Sequence, residues 1–345
     1  MLIRIHFPCL REIPTSLPLP IACGLRQATD PNPVRNRFDR LRSIARERWR
    51  VVDLEQADLI IYPYHYEDNS ETRQVALMAR QRNLPCIFFQ STDRTNPADP
   101  PYGVVYRTSI YANQLQPGER AMPAVCEDLL QEHNGEVPLQ SKGPRPSVGF
   151  CGYVGSPMHH LFYFLTGRHE KARGLLLRHR MLRRLDNSNR VDARLIPRKQ
   201  FWAGVGHHVS QHTRVKQIRN EFVRNVLETQ YTLCLRGKGN YSFRFYETLA
   251  AGRIPLFINT NCVLPLADTI DYRKHCLWVE EQDMDRVVEI LVDFHARISD
   301  DDFQQMQVDN RRLWVEHLSP AAFFPRILDE AMCPGSVART TRGAR

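Results

Sequence analysis

"YTLCLRGKGNYSFRFYETLAAGRIPLF", residues 231–257, decides how this chain is read. Tyr231 to Leu235 is an apolar run of the kind that forms a buried strand. Arg236 to Tyr241 is a basic loop whose glycines permit tight turning and close backbone approach. Ser242 can cap a helix that begins at about Phe243, with Phe243, Tyr246 and Leu249/Ala250 on its core face. Gly252 is placed to stop that helix, and Ile254 to Ile258 make the next strand. The loop therefore sits at the carboxyl end of a parallel strand and the amino end of a helix, where ligands bind in open α/β sheets. Free N–H groups and the positive end of the helix dipole favour an anion there. Arg236, Lys238 and Arg244 add three cations, so a phosphate or diphosphate is the expected occupant.

Other readings of the loop are weighed against that one. Arg236 and Lys238 can be plain solvated loop charges. Gly237-x-Gly239 opens a dinucleotide fingerprint, but Ser242 stands where the third glycine belongs, and the next strand ends in Asn259 and Asn261 with no acid for a ribose. No G-K-[ST] follows, which removes the P-loop.

Working outward, strands and helices alternate on both sides. The spacing of Val34, Phe38, Leu41 and Ile44/Ala45 predicts an amphipathic helix over 34–50. "ADLIIYPYHYED", a helix from about Glu71 to Arg82, and "LPCIFFQSTD" then read as strand, helix, strand, the pattern of a parallel sheet covered by helices. "YGVVYR" adds a strand. Residues 134–147 hold Gly, Pro and polar residues without periodicity, and the domain boundary is placed there. The second half restarts with "SVGFCGYVG" and continues through a basic helical region, "VDARLIPR", a helix over about 213–228, the opening motif, "HCLWVEE" and "DRVVEILVDFHARI". The expected fold is α/β: an N-terminal domain over 1–140 and a C-terminal domain over 146–318, both doubly wound and facing across a cleft. A helix over 319–332 and a basic, disordered tail over 333–345 complete it.

Composition narrows the class of protein. The 345 residues, 42% hydrophobic and 25% charged, suit two soluble lobes, and no segment approaches the roughly 18 apolar residues of a membrane span. Arg4, His6 and Arg11 interrupt the apolar start, which fits a signal peptide poorly, so a cytoplasmic location is expected. The nine cysteines are scattered and never form a C-x-x-C pair, which argues against a disulfide framework or a zinc cluster. A net charge of +9 points to an anionic partner: a nucleotide, a nucleic acid, an acidic polymer or an anionic membrane surface.

The stretch "LCLRGKGNYSFRFYETLAAGRIPLFINTNCVLPLADTIDY" resembles the carboxyl-terminal signature of exostosin-like glycosyltransferases, with weaker echoes in "ADLIIYPYHYED" and "PSVGFCGYVG". The resemblance implies a GT-B fold and a nucleotide-diphosphate-sugar donor, UDP in the first instance, held by the second domain. It implies inverting transfer to a glycan or oligosaccharide acceptor entering from the first, in polysaccharide biosynthesis. Carried onto this chain, Arg236 contacts the donor phosphates, Arg244 supports that contact and Glu247 reaches the ribose hydroxyls. Lys238, Gly239 and Ser242 complete the donor loop on electrostatic and backbone grounds. A carboxylate accepts two hydrogen bonds and so suits a vicinal diol, although Glu247 can equally be a helix acid paired with an arginine. Gly239 stands where retaining enzymes of this fold often place a second glutamate, which agrees with inversion. The chain departs from the family at Arg253, where cysteine is favoured, and its opening residues do not read as the membrane anchor with which animal exostosins usually begin.

Inverting transfer needs a base near the acceptor hydroxyl and stabilisation of the departing diphosphate. The cationic loop supplies the second without requiring a metal or other cofactor. For the base, the candidates are Asp93 and Asp68, with Glu67 and His65 beside Asp68; each follows an apolar run, where aspartate also caps turns. Asp283-Met284-Asp285 and Asp300 to Asp302 read as helix starts rather than metal ligands. His208 and His212 lack the glutamate of a zinc helix. Residues 168–199 carry eleven Lys or Arg against three Asp or Glu. They read as basic amphipathic helices whose outer face is either solvated or binds nucleic acid, an acidic glycan or anionic lipid, the last as a peripheral association with an anionic membrane. No nucleic-acid motif accompanies them, and no nucleic-acid partner is expected. Two other classes stay open: a catalytically inactive nucleotide-binding relative, and a basic nucleic-acid-binding protein.

Overall fold

The computed structural model describes residues 2–11, 15–26, 37–131, 134–167, 169–200 and 212–336. The histidine at 208 and the tail beyond 336 lie outside the described residues. The chain divides into two compact units, Met1–Cys126 with Val263–Leu266 and Glu316–Arg345, and Glu127–Cys262 with Ala267–Val315.

The first unit is a six-stranded parallel sheet in the order β2-β1-β3-β4-β5-β6. Its strands are β1 (Ile3–His6), β2 (Trp49–Val51), β3 (Leu59–His65), β4 (Cys86–Gln90), β5 (Val104–Arg107) and β6 (Glu119–Ala121). Its helices are α1 (Pro18–Ala22), α2 (Asp39–Arg48) and α3 (Ser70–Gln81), joined by α10 (Pro320–Met332) from the far end of the chain. Alternate residues of the central strands feed opposite faces, as a pleat requires. Ile61, Ile87 and Phe89 pack with Leu41, Phe323 and Phe324, while Ile60, Phe88 and Val105 pack with Val75, Ala76 and Ala79. Both faces are buried, hence the unbroken apolar runs of β3 and β4.

One local expectation is corrected and another is extended. The helix over 34–50 ends at Arg48, because Trp49 is buried and Val51 pairs with Ile5 in the sheet, so these residues extend as β2. The chain start, read only as a poor leader, is an inner strand of the sheet, β1. Ile3, Ile5 and Phe7 are buried at period two, and Arg4 points out to pair with Asp58 at 2.6 Å.

The second unit is a five-stranded parallel sheet in the order β11-β10-β9-β7-β8. It comprises β7 (Ser147–Tyr153), β8 (Asp192–Arg198), β9 (Tyr231–Cys234), β10 (Ile254–Asn259) and β11 (Leu277–Glu280). The helices are α4 (Pro157–Leu165), α5 (His169–Asp186), α6 (His212–Leu227), α7 (Phe243–Ala250), α8 (Val287–Arg297) and α9 (Asp300–Leu313). Val148, Leu233, Leu256 and Val279 pack with Met181 and Leu185 of α5 and Leu291 of α8. On the opposite face Cys151 packs with Phe222 and Val226 of α6. The aspartates at 300–302 fill the first turn of α9, where Ser299 Oγ accepts the Asp302 N–H at 3.0 Å, so this run is a helix start. No described helix is long and apolar enough to cross a membrane.

Candidate functional site

The loop between β9 and α7 is pinned on two sides. On one side lies α5. Arg178 Nε donates to the Arg236 carbonyl at 3.1 Å, and Arg178 Nη1 donates to the Tyr153 carbonyl at 2.6 Å. Gly174 faces the Gly237 carbonyl so closely that a Cβ there would sit 1.8 Å from the oxygen, so only glycine lets this helix lie on the loop. On the other side, buried Asn240 accepts from Thr260 Oγ1 at 2.7 Å and donates to the Asn261 carbonyl at 3.3 Å, which ties the loop to the end of β10.

Within that frame Arg236 is 1% exposed and its Nη2 donates to Glu170 Oε2 at 2.7 Å. Glu170 stands in the first turn of α5 with nearly half of its side chain exposed. A buried guanidinium thus meets a carboxylate at the amino end of α7. Lys238 and Gly239 follow in the same loop, Lys238 half-buried and Gly239 buried. Arg244 stacks its guanidinium 5.0 Å from the ring centres of both Phe150 and Phe222 and covers Gly152 at the end of β7. Its Nε is buried without a hydrogen-bond partner.

Ser242 takes the N-cap position of α7 with extended backbone, but its Oγ makes no capping bond and is buried without a partner. The expected cap is therefore absent. At ψ 110° the residue is placed as a cap, yet its hydroxyl does not meet a helix N–H. Gly252, at φ +61°, ends the segment as its position predicted.

Glu247, on α7, is 6% exposed. Arg219 Nη1 of α6 lies 3.8 Å from Glu247 Oε1, an ion-pair distance without a hydrogen bond, and Arg219 also pairs with Glu127. So Arg236, Lys238, Gly239, Ser242, Arg244 and Glu247 share one corner of the second unit, at the carboxyl ends of β7 and β9. Glu170, Gly174, Arg178, Arg219 and Glu127 also belong to it, and sequence reasoning missed all five. They come from α5, α6 and the chain before β7, and no local pattern marks a side chain whose partner lies 25 to 92 positions away.

The candidate bases lie in the first unit. Asp68 accepts two hydrogen bonds from Arg73, Nε to Oδ1 at 2.8 Å and Nη2 to Oδ2 at 3.0 Å, and these hold its carboxyl below the usual range. Glu67 pairs with Arg94 at 2.6 Å. Asp93 is exposed in the bend after β4. His65 Nδ1 accepts the Ser91 N–H at 3.3 Å, so the neutral ring carries its proton on Nε2 and offers a donor rather than a base. Burial first, and then Arg94, hold its pKa below the ordinary histidine value. Asp285 anchors α5 by pairing with Arg180 and Arg184 from within a 3₁₀ turn, Glu281–Arg286. Among the described residues no group of three or more His, Cys, Asp or Glu could hold a metal ion.

Fold and corner together define a parallel α/β unit with a cationic loop at its strand ends. Residues 154–294 match the family model of the Exostosin GT47 domain, which spans that loop and the helices pinning it. The chain is 34% identical to the Exostosin-1 homolog of Caenorhabditis elegans over 94 residues, covering 26% of this chain and 25% of the relative. It is 35% identical to Exostosin-1 of Drosophila melanogaster over 86 residues, 24% of this chain and 11% of that one. The chain thus aligns with a quarter or less of these relatives. Among solved structures, the crystal structure of TarM aligns over 80% of this chain and 55% of its own at 10% identity, with a TM-score of 0.39. Within the second unit, residues 154–294 are therefore similar in sequence to the exostosin GT47 domain.

Proposed function

We propose that this chain is an inverting glycosyltransferase that uses a nucleotide-diphosphate sugar, UDP-linked in the first instance, and transfers the sugar to a glycan or oligosaccharide hydroxyl. The observation that carries the reading is the buried Arg236 guanidinium, already in contact with a carboxylate at the amino end of α7. A diphosphate meets the same donors with more charge. Arg244 and Lys238 add cations beside it, and the unpartnered Ser242 hydroxyl offers a further hydrogen bond. Glu247 takes the ribose diol, held in place by Arg219. In the reaction the acceptor oxygen bonds to the anomeric carbon as the bond from that carbon to the diphosphate oxygen breaks. The acceptor proton passes to a carboxylate. Asp93 is preferred over Asp68 for that role, since Asp68 is engaged by Arg73 and is the weaker base. The scattered cysteines favour a reducing, cytoplasmic setting.

The test is transfer from a panel of UDP-sugars to oligosaccharide acceptors, with the product's anomeric configuration read by NMR. The expected product has the configuration opposite to the donor's, and Asp93→Asn loses transfer while keeping UDP binding. A retained configuration overturns inversion. UDP binding without product from any pair favours an inactive relative. Oligonucleotide binding with steep salt dependence, insensitive to Glu247→Ala, favours a nucleic-acid partner.

A further inference from the structure

Helix α4 is unlike every other described element. Its large apolar side chains face water: Met158 is 80% exposed, Leu165 73%, Phe164 63%, Leu161 59% and Phe162 50%. At 100° per residue these five side chains span about 160° of the helix circumference, wider than the stripe of about 100° that packing on one core uses. Nine residues rise only about 14 Å, too short to span a bilayer but enough to lie in its surface.

The neighbouring surface is cationic. Helix α4 packs on α5, with the Phe164 and His169 rings edge to face at 5.5 Å. From His169 the outer face of α5 runs through Arg173, Leu176, Arg180 and Arg183 at alternating spacings of four and three, so these residues share one stripe. Leu176 is 54% exposed and continues the apolar surface along it. A shallow groove of about 430 Å³ lies there, lined by Leu176, His179, Arg180, Arg183, Arg184 and Asn187. Arg173 pairs with Glu281, and Arg180 and Arg184 share the single carboxylate of Asp285. Arg183 has no carboxylate partner among the described residues, so the groove keeps an excess of positive charge.

We propose that α4 and the outer face of α5 dock the protein on an anionic lipid bilayer. The apolar side chains of α4 enter the headgroup and acyl boundary, and the arginines of the groove meet lipid phosphates. Each apolar insertion and each arginine adds to the affinity, so binding is weakened by the loss of either and by salt.

Co-sedimentation of the full chain with vesicles of phosphatidylcholine, with and without phosphatidylglycerol, tests this. The chain is expected to bind the anionic vesicles and to bind phosphatidylcholine alone much more weakly. Leu161→Asp with Phe164→Asp should raise the apparent Kd about tenfold or more, and Arg183→Glu about fivefold. Circular dichroism and melting of each variant establish that it is folded; a misfolded pair is replaced by Leu161→Ser with Phe164→Ser. Failure of the wild-type chain to bind anionic vesicles overturns the proposal, as does equal binding by a folded α4 variant. A dimer in sedimentation velocity that the α4 variants dissociate, without vesicle binding, assigns the surface to a second copy instead.

Discussion

Arg236 is almost wholly removed from water, and the carboxylate it meets, Glu170, is half in water. That asymmetry makes the contact exchangeable. Moving Glu170 returns it to solvent at little cost, whereas the guanidinium stays buried, where an anion remains its favoured partner. Under the proposed function a diphosphate is that anion. Arg236→Ala is therefore expected to weaken UDP binding by about 1.5 to 3 kcal/mol, the scale of a hydrogen bond to a charged group. Isothermal titration checks it, and unchanged affinity would remove Arg236 from the site. Glu170→Gln keeps the side chain's shape and removes its charge. It should bind UDP at least as tightly as the wild type, and a large loss would instead make Glu170 a structural support of the loop.

At the scale of elements, the second unit is held by buried polar groups that link strands to helices. Arg253, fully buried, immediately precedes β10 and has no carboxylate partner among the described contacts. Its guanidinium donates to the carbonyls of Leu227, at 2.8 and 3.2 Å, of Pro138 at 2.7 Å and of Gly252 at 3.3 Å. It thereby caps the carboxyl end of α6, where a cation suits the dipole, although burial pushes its pKa down to about 10. Arg253→Ala strands these carbonyls and opens a cavity, and should cost about 3 to 5 kcal/mol in urea unfolding. Arg253→Lys recovers only part, since one ammonium cannot span the same acceptors.

His295, on α8, is a second such link. Its Nε2 donates to the Gly143 carbonyl at 2.8 Å and its Nδ1 accepts from the Tyr231 hydroxyl at 3.0 Å, which a single neutral tautomer satisfies. Burial foremost, aided by Lys142, holds its pKa below the ordinary value. The unfolded chain therefore binds this proton at a higher pH than the folded one. Stability is full above the ordinary histidine pKa and is lost as pH falls through the lower folded value. The melting temperature should drop between about pH 7.5 and about pH 5.5, and His295→Gln should flatten that slope. An identical slope in the variant would assign the pH dependence to other groups.

At the scale of the whole molecule, the last described helix, α10, belongs to the first unit. Phe323 packs edge to face on Tyr106 at 6.0 Å and Phe324 on Phe89 at 5.8 Å, closing one face of the sheet that begins with Ile3. Phe323→Ala should cost about 3 to 5 kcal/mol, measured on the first unit's unfolding transition. A chain stopped at Leu318 should lose that transition altogether. A transition that survives the truncation would mean that α1 and α2 alone cover this face.

The sequence by itself determined the parallel α/β class and the strand, loop and helix around residues 231–257, because buried parallel strands read as apolar runs and glycines and basic residues mark the turns between them. It also marked Arg236 and Arg244 as cations of one loop and the helix start after it, while Glu247 came to notice through the resemblance to exostosin-like glycosyltransferases. Only the tertiary structure decided that Arg236 is buried against Glu170, that Gly174 must be glycine, that Arg219 stands beside Glu247 and that Ser242 does not cap its helix. Those facts depend on which distant segments meet, and burial and pairing energies arise between elements that no local periodicity connects.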